Sequence, residues 1–177
     1  MRKIILYIAC SLDGYIAKSD GSVDWLDEIP NPEKSDYGYA EFYNSIDTVI
    51  MGNKTYQQVL EFGIEYPYKG KKSIVLTKNS GLTKDENAEF ISKNIPEFLN
   101  KLKNDTGKNI WCVGGGEINS FLLGHQLIDE IKVFMMPVIL GSGIPFTPKL
   151  NSLINLQLIK QVTYQSGVQE LDYLVKK

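Results

Sequence analysis

The chain has 177 residues, which suits one domain (1–177) better than two, and its 43% hydrophobic content is enough for a core without disulfide or metal staples. Its formal net charge is -2 and its only Arg is Arg2, so no basic surplus exists to neutralise a nucleic-acid backbone. The apolar start is short and meets Asp13-Gly14 at once, and no long apolar run follows, which predicts a cytoplasmic protein with no membrane partner.

Residues 4–10 are a continuous Ile-rich run, the pattern of a strand buried on both faces. Residues 17–37 hold many turn residues around Trp25-Leu26 and read as a long loop with a short helix, a candidate lid. Tyr39, Phe42, Tyr43 and Ile46 recur at helical spacing and predict a helix over 36–46. Thr48–Met51 is a strand ending at Gly52, followed by a helix carrying Tyr56, Val59 and Leu60. Ser73–Thr77 is another strand, and Phe90-Ile91 a short one. Ile95, Phe98, Leu99 and Leu102 predict a helix with Pro96 in its first turn, where a missing N–H costs little.

The strand Ile110–Val113 runs straight into Gly114-Gly115-Gly116. A helix with Ile118, Phe121 and Leu122 follows and stops near Gly124. Ile128–Val138 reads as a long strand with Pro137 at its end. Ile154–Tyr164 and Val168–Val175 read as an antiparallel hairpin about Gln165-Ser166-Gly167. Strand–helix repeats imply right-handed parallel crossovers, so the class is α/β with an antiparallel C-terminal edge.

Four strand ends carry the chemistry. After Val113, the triple glycine and the helix start at Glu117-Ile118 allow close backbone approach and present free N–H groups to an anion. Asn119 stands where the third Gly of a G-x-G-x-x-G fingerprint belongs, so the segment is not that fingerprint. After Met51, Gly52-Asn53-Lys54-Thr55 reads either as a phosphate-facing helix start or as an ordinary one capped by Asn53. Asp13-Gly14 is a turn signal, and Leu76-Thr77-Lys78 ends a strand with a hydroxyl and a cation. Cys10 and Cys112 read as buried reduced thiols, and His125 as a surface residue. One His and two distant Cys make no metal cluster. Trp25, Tyr37, Tyr39 and Tyr43 form either an aromatic wall for a flat heterocycle or part of the core.

In chain order the segments SLDGYIA, VIMGNKTY, IVLTK, VGGGEI, MPVILGSGIPF and SGVQELDYLV resemble the dihydrofolate-reductase-like superfamily. They look closest to the reductase half of the bacterial riboflavin-biosynthesis enzyme and its stand-alone relatives. The resemblance covers nearly the whole chain. It implies a three-layer fold, with a central, mainly parallel sheet, helices on both faces and NADPH across the strand ends; NADH is the alternative. It maps the cofactor onto Gly52, Asn53, Lys54 and Thr55, onto Leu76, Thr77 and Lys78, and onto Val113, Gly114, Gly115, Gly116, Glu117 and Ile118. Ala9, Gly14, Tyr15 and Ile16 would flank the nicotinamide. Relatives usually carry an Arg where this chain has Asn53, facing the adenosine 2′-phosphate; Lys54 or Lys78 would replace it.

By the same resemblance, Asp36 holds the place of the acid that assists protonation. The alternative is a helix cap. Asp13 and Glu117 are weaker acid candidates. The function implied is hydride transfer from NAD(P)H to a small heterocyclic substrate, pterin- or pyrimidine-like. The alternatives are a non-catalytic NADPH-binding or redox-sensing protein, a true dihydrofolate reductase, and a 5-amino-6-(5-phosphoribosylamino)uracil reductase. The last acts on a ribosyl phosphate, for which a lone N-terminal Arg offers no obvious clamp. Family analogy also suggests a homodimer.

Overall fold

The computed structural model describes residues 1–177. Six parallel strands form most of one sheet: β1 (Ile4–Ser11), β3 (Ile46–Gly52), β4 (Lys72–Leu76), β5 (Glu89–Ile91), β6 (Asn109–Gly114) and β7 (Glu130–Met136). The C-terminal hairpin, β9 (Leu156–Thr163) and β10 (Gln169–Val175), adds two antiparallel strands. The spatial order is β5-β4-β3-β6-β1-β7-β10-β9. A separate short pair joins β2 (Tyr15–Ala17) to β8 (Ile144–Pro145), a pairing too short to leave a periodic pattern in the sequence.

Side chains alternate across a strand, so the central strands feed two cores. On one face Val49, Met51, Val75 and Trp111 meet Phe42 of α1 (Tyr39–Ser45) and Tyr56 and Val59 of α2 (Asn53–Glu61). On the other, Ile4, Leu6, Ile50, Ile74 and Ile110 meet Leu99 and Leu102 of α3 (Ile95–Asn104) and Leu122 and Leu123 of α4 (Gly116–Gly124). Burying apolar runs on both faces is what makes the central strands read as continuous rather than alternating. No helix is long and apolar enough to cross a membrane.

The predicted strands and helices are present, with their bounds shifted by a few residues. The first helix begins at Tyr39, not 36, because Tyr37 (φ 52°) and Gly38 (φ 75°) are left-handed and break the ladder. The long strand is confined to Glu130–Met136. The segment at 17–37 forms a single 3-10 turn at Asp24–Leu26. Trp25 is 2% exposed there and packs on Phe134, Met136 and Val168, so the segment is anchored at its middle.

Cys10 and Cys112 are unpaired and buried, and burial pushes their thiols up to about 11 and about 12, so both are inert at neutral pH. Arg2 is spent at the amino ends of the strands, on Asp47 and on Thr48 Oγ1 (2.7 Å).

Candidate functional site

At the carboxyl edge of the sheet two helices start side by side. Gly52 closes β3 and Asn53 opens α2; Gly114 closes β6 and Gly116 opens α4. β3 and β6 are neighbours, which brings both starts together. Neither start has a side-chain cap, so first-turn N–H groups of both helices are left for water or a ligand. Thr55 Oγ1 donates to the Gly114 carbonyl across the junction at 3.5 Å. Gly115 holds φ +79°, and a Cβ there would stand 2.9 Å from Thr55 Oγ1. Lys54 Nζ lies 3.9 Å from Glu117 Oε1 with both side chains largely exposed, a weak bridge over the mouth of the junction. The Asn53 Oδ1 is buried without a partner.

The neighbouring strand ends complete the edge. Leu76 is buried at the end of β4. Thr77 Oγ1 accepts the Asn79 N–H (3.1 Å), and Lys78 points out exposed. At the end of β1, Ser11 Oγ donates to Asp13 (2.6 Å), and Asp13 accepts the N–H groups of Leu140 (3.1 Å) and Gly141 (2.7 Å). The Ser11 hydroxyl and these amides hold the Asp13 carboxyl below its ordinary value. Asp13 is thereby a staple between the two loops, not an acid. It pins Gly14, Tyr15 and Ile16 against β8, and β8 lies on Gly116, where a Cβ would overlap the Pro145 carbonyl. Three segments far apart in sequence thus form one wall.

Asp36 does not join them. It is exposed, and its two oxygens accept the N–H groups of Gly38 and Ala40, both at 3.0 Å. The Ala40 and Gly38 bonds lower its pKa, whereas a proton relay at neutral pH needs it raised. In this structure Asp36 is placed as a cap ahead of α1, the alternative its sequence position left open. The left-handed turn at Tyr37 and Gly38 turns the carboxylate back onto the helix start.

A cavity of about 240 Å³ lies between α1 and the floor of β1, β7, β10 and β9. Tyr7 lines it, stacked on Phe42 (4.2 Å between centroids, 16° between planes). Burial, then Glu170, raises the Tyr7 phenol far above its ordinary value, so it stays a neutral donor. Lys132, Lys160 and Glu170 supply the polar floor. Burial alone would raise Glu170, but Lys160 (2.8 Å) and the Tyr164 hydroxyl (2.8 Å) outweigh it and keep it ionised. Asp172, beside Lys132, is raised by its burial.

Sequence reasoning did not single out Tyr7 or these floor residues. The only trace was charged residues interrupting otherwise apolar strands. Of the aromatic candidates, Trp25 belongs to the core. Tyr39 is 38% exposed and leans on Tyr43 and Tyr7, with centroids 5.6 and 6.2 Å apart.

Comparison with known proteins follows the same lines. Residues 68–169 match the RibD C-terminal domain family. The uncharacterized protein YwjB of Bacillus subtilis (strain 168) is 41% identical over 95% of both chains. The crystal structure of a Shewanella sp. PV-4 protein provisionally assigned to riboflavin biosynthesis superposes with a TM-score of 0.87 at 29% identity, covering 99% of each chain. The dihydrofolate reductase of Enterococcus faecalis, solved with NADP(H), shares the fold with a TM-score of 0.70 at 14% identity, over 99% of this chain and 97% of that one.

Proposed function

This chain belongs to the RibD C-terminal domain family, within the dihydrofolate-reductase-like superfamily, and from that premise we propose that it is an NADPH-dependent reductase of a pterin- or pyrimidine-sized heterocycle. The observation that carries the reading is the pair of uncapped helix starts meeting at the carboxyl edge of the sheet. Open α/β sheets bind ligands at that edge, and a diphosphate is the anion that two adjacent helix starts suit.

Bound NADPH supplies the hydride; the chain binds, orients and excludes water. The first turns of α2 and α4, with Lys54 and the Thr55 hydroxyl, would hold the diphosphate. Ala9, Val113 and the Gly14–Ile16 arm would hold the nicotinamide at the β1 end of the edge. Tyr7 is two residues from Ala9 on the same face of β1, so a heterocycle in the cavity at Tyr7 would adjoin a nicotinamide held at Ala9. The ring stacks against aromatic side chains, the neutral Tyr7 hydroxyl donates to it, and Glu170 and Lys132 take its polar edge.

The reading includes a homodimer through the hairpin edge. β9 has no neighbour on its outer side, and Leu156, Leu158 and Ile159 are 42–49% exposed there. Sedimentation or light scattering reads the mass directly.

The central test is a titration with NADPH followed by nicotinamide fluorescence, then NADPH oxidation with pterin and pyrimidine substrates. Saturable binding with turnover of one substrate supports the reductase. Tight binding without turnover of any supports a nucleotide-binding protein instead, and no binding removes the reading.

A further inference from the structure

Two cations face the cavity beneath α1, Lys132 and Lys160, and both are already paired. Lys160 Nζ donates to Glu170 Oε1 at 2.8 Å. Lys132 Nζ donates to Asp172 and lies 3.8 Å from Glu170 Oε1. The two carboxylates are each 4% exposed. Even so they are short of partners, since Asp172 Oδ1 is buried without one. Drawing either lysine onto an incoming anion would strip a buried carboxylate of its cation, the unfavourable case for a buried pair.

The rim adds negative charge. Glu41 of α1 lines the cavity, exposed and in no ion pair. It is close enough to Lys160 to add to the effect of Glu170 and Asp172 in raising that lysine's pKa. Glu130, at the start of β7, lines the cavity as well, 2.6 Å from Lys3. Three carboxylates thus line the space against two ammonium groups, and like charge placed beside like charge is how a site rejects a ligand. The remaining polar groups of the lining suit uncharged partners: the neutral Tyr7 phenol, the Ser45 hydroxyl and the Asn109 amide. Size acts in the same direction. The volume of about 240 Å³ falls below the roughly 300–1,000 Å³ of pockets for drug-sized ligands, so a ring with a short substituent fills it and a longer tail must leave past the rim.

We infer that this cavity selects a heterocycle with an uncharged, hydroxyl-bearing side chain and rejects the same ring carrying a phosphate, with Glu41 as the specificity-determining residue. The inference rests on the placement of the substrate ring at Tyr7 in the reading above. It goes beyond that reading by naming the charge class of the substrate.

The test uses two matched pairs of probes: 6-hydroxymethylpterin with its phosphate ester, and uridine with uridine 5′-monophosphate. Dissociation constants are measured with saturating NADP+, in the intact protein and in Glu41→Lys. Glu41 is exposed on a helix, so the variant folds, and a thermal melt checks it. The expected result is that the better-bound alcohol binds at least about tenfold tighter than its phosphate, and that Glu41→Lys narrows the ratio about threefold or more while leaving the alcohol little changed. A phosphate bound as tightly as its alcohol, or a ratio that Glu41→Lys leaves unchanged, overturns the inference and leaves the substrate site standing. Failure of all four probes to bind overturns the placement of the ring and the inference with it.

Discussion

Gly52 and Ile118 touch where the two helices of the cradle begin: a Cβ on Gly52 would stand 2.8 Å from Cγ1 of Ile118. The Gly52 backbone is extended (φ -77°), so the residue is small for packing and not for conformation. Gly52→Ala would push α2 and α4 apart at a cost of about 1–3 kcal/mol. The expected outcome is a lower Tm together with at least a tenfold loss of NADPH affinity. A variant that loses stability but keeps its affinity would show that the spacing of the two starts is not what holds the diphosphate.

Tyr7→Phe isolates the phenol, because the stack on Phe42 survives the change. Loss of the hydroxyl donor to the heterocycle is expected to lower kcat/KM by about tenfold. The thermal melt serves as the control for folding. An unchanged kcat/KM would remove Tyr7 from the substrate site.

Asp36→Asn is expected to retain turnover and to lower the Tm modestly at neutral pH. The folded-state pKa of Asp36 is depressed, so its contribution is present above the unfolded value and lost as pH falls through the folded one. The melts of wild type and variant therefore converge as the pH drops well below 3.8. A collapse of turnover in a folded Asp36→Asn protein would restore the proton relay.

Asp129 anchors the opposite end of the sheet, 2.7 Å from Lys103, whose side chain is 3% exposed. Burial lowers the Lys103 pKa and would raise that of Asp129, but the Lys103 and Lys177 bonds keep Asp129 depressed. Asp129→Ala leaves a buried ammonium with only the Leu127 carbonyl (3.4 Å) and is expected to cost about 3 kcal/mol in denaturant unfolding. In the wild type the Asp129 share of stability is present above its unfolded pKa and fades in acid. A loss well under 1 kcal/mol would mean that water or Lys177 relieves the pair.

Much of the fold was legible because its signals are local. Unbroken apolar runs marked strands buried on both faces, and Tyr56 with Val59 marked a helical stripe. Glycines at the ends of β3 and β6 marked two helix starts. The 2–8 strand pair was not legible, since two or three residues carry no period. Asp36 was legible only as an alternative. A carboxylate ahead of a helix serves equally as cap or acid until the backbone at Tyr37 and Gly38 decides where it points.

The amino-acid sequence by itself determined the elements, their order and the glycine-led helix starts, because hydrophobic period and backbone freedom act over a few residues. Only the tertiary structure decided which starts meet. β3 and β6 become neighbours through crossovers that no local pattern encodes. The same long-range pairing set Tyr7 over the β10 carboxylate Glu170. A side chain's neighbours, and with them its protonation and its ligand, are properties of the assembled sheet.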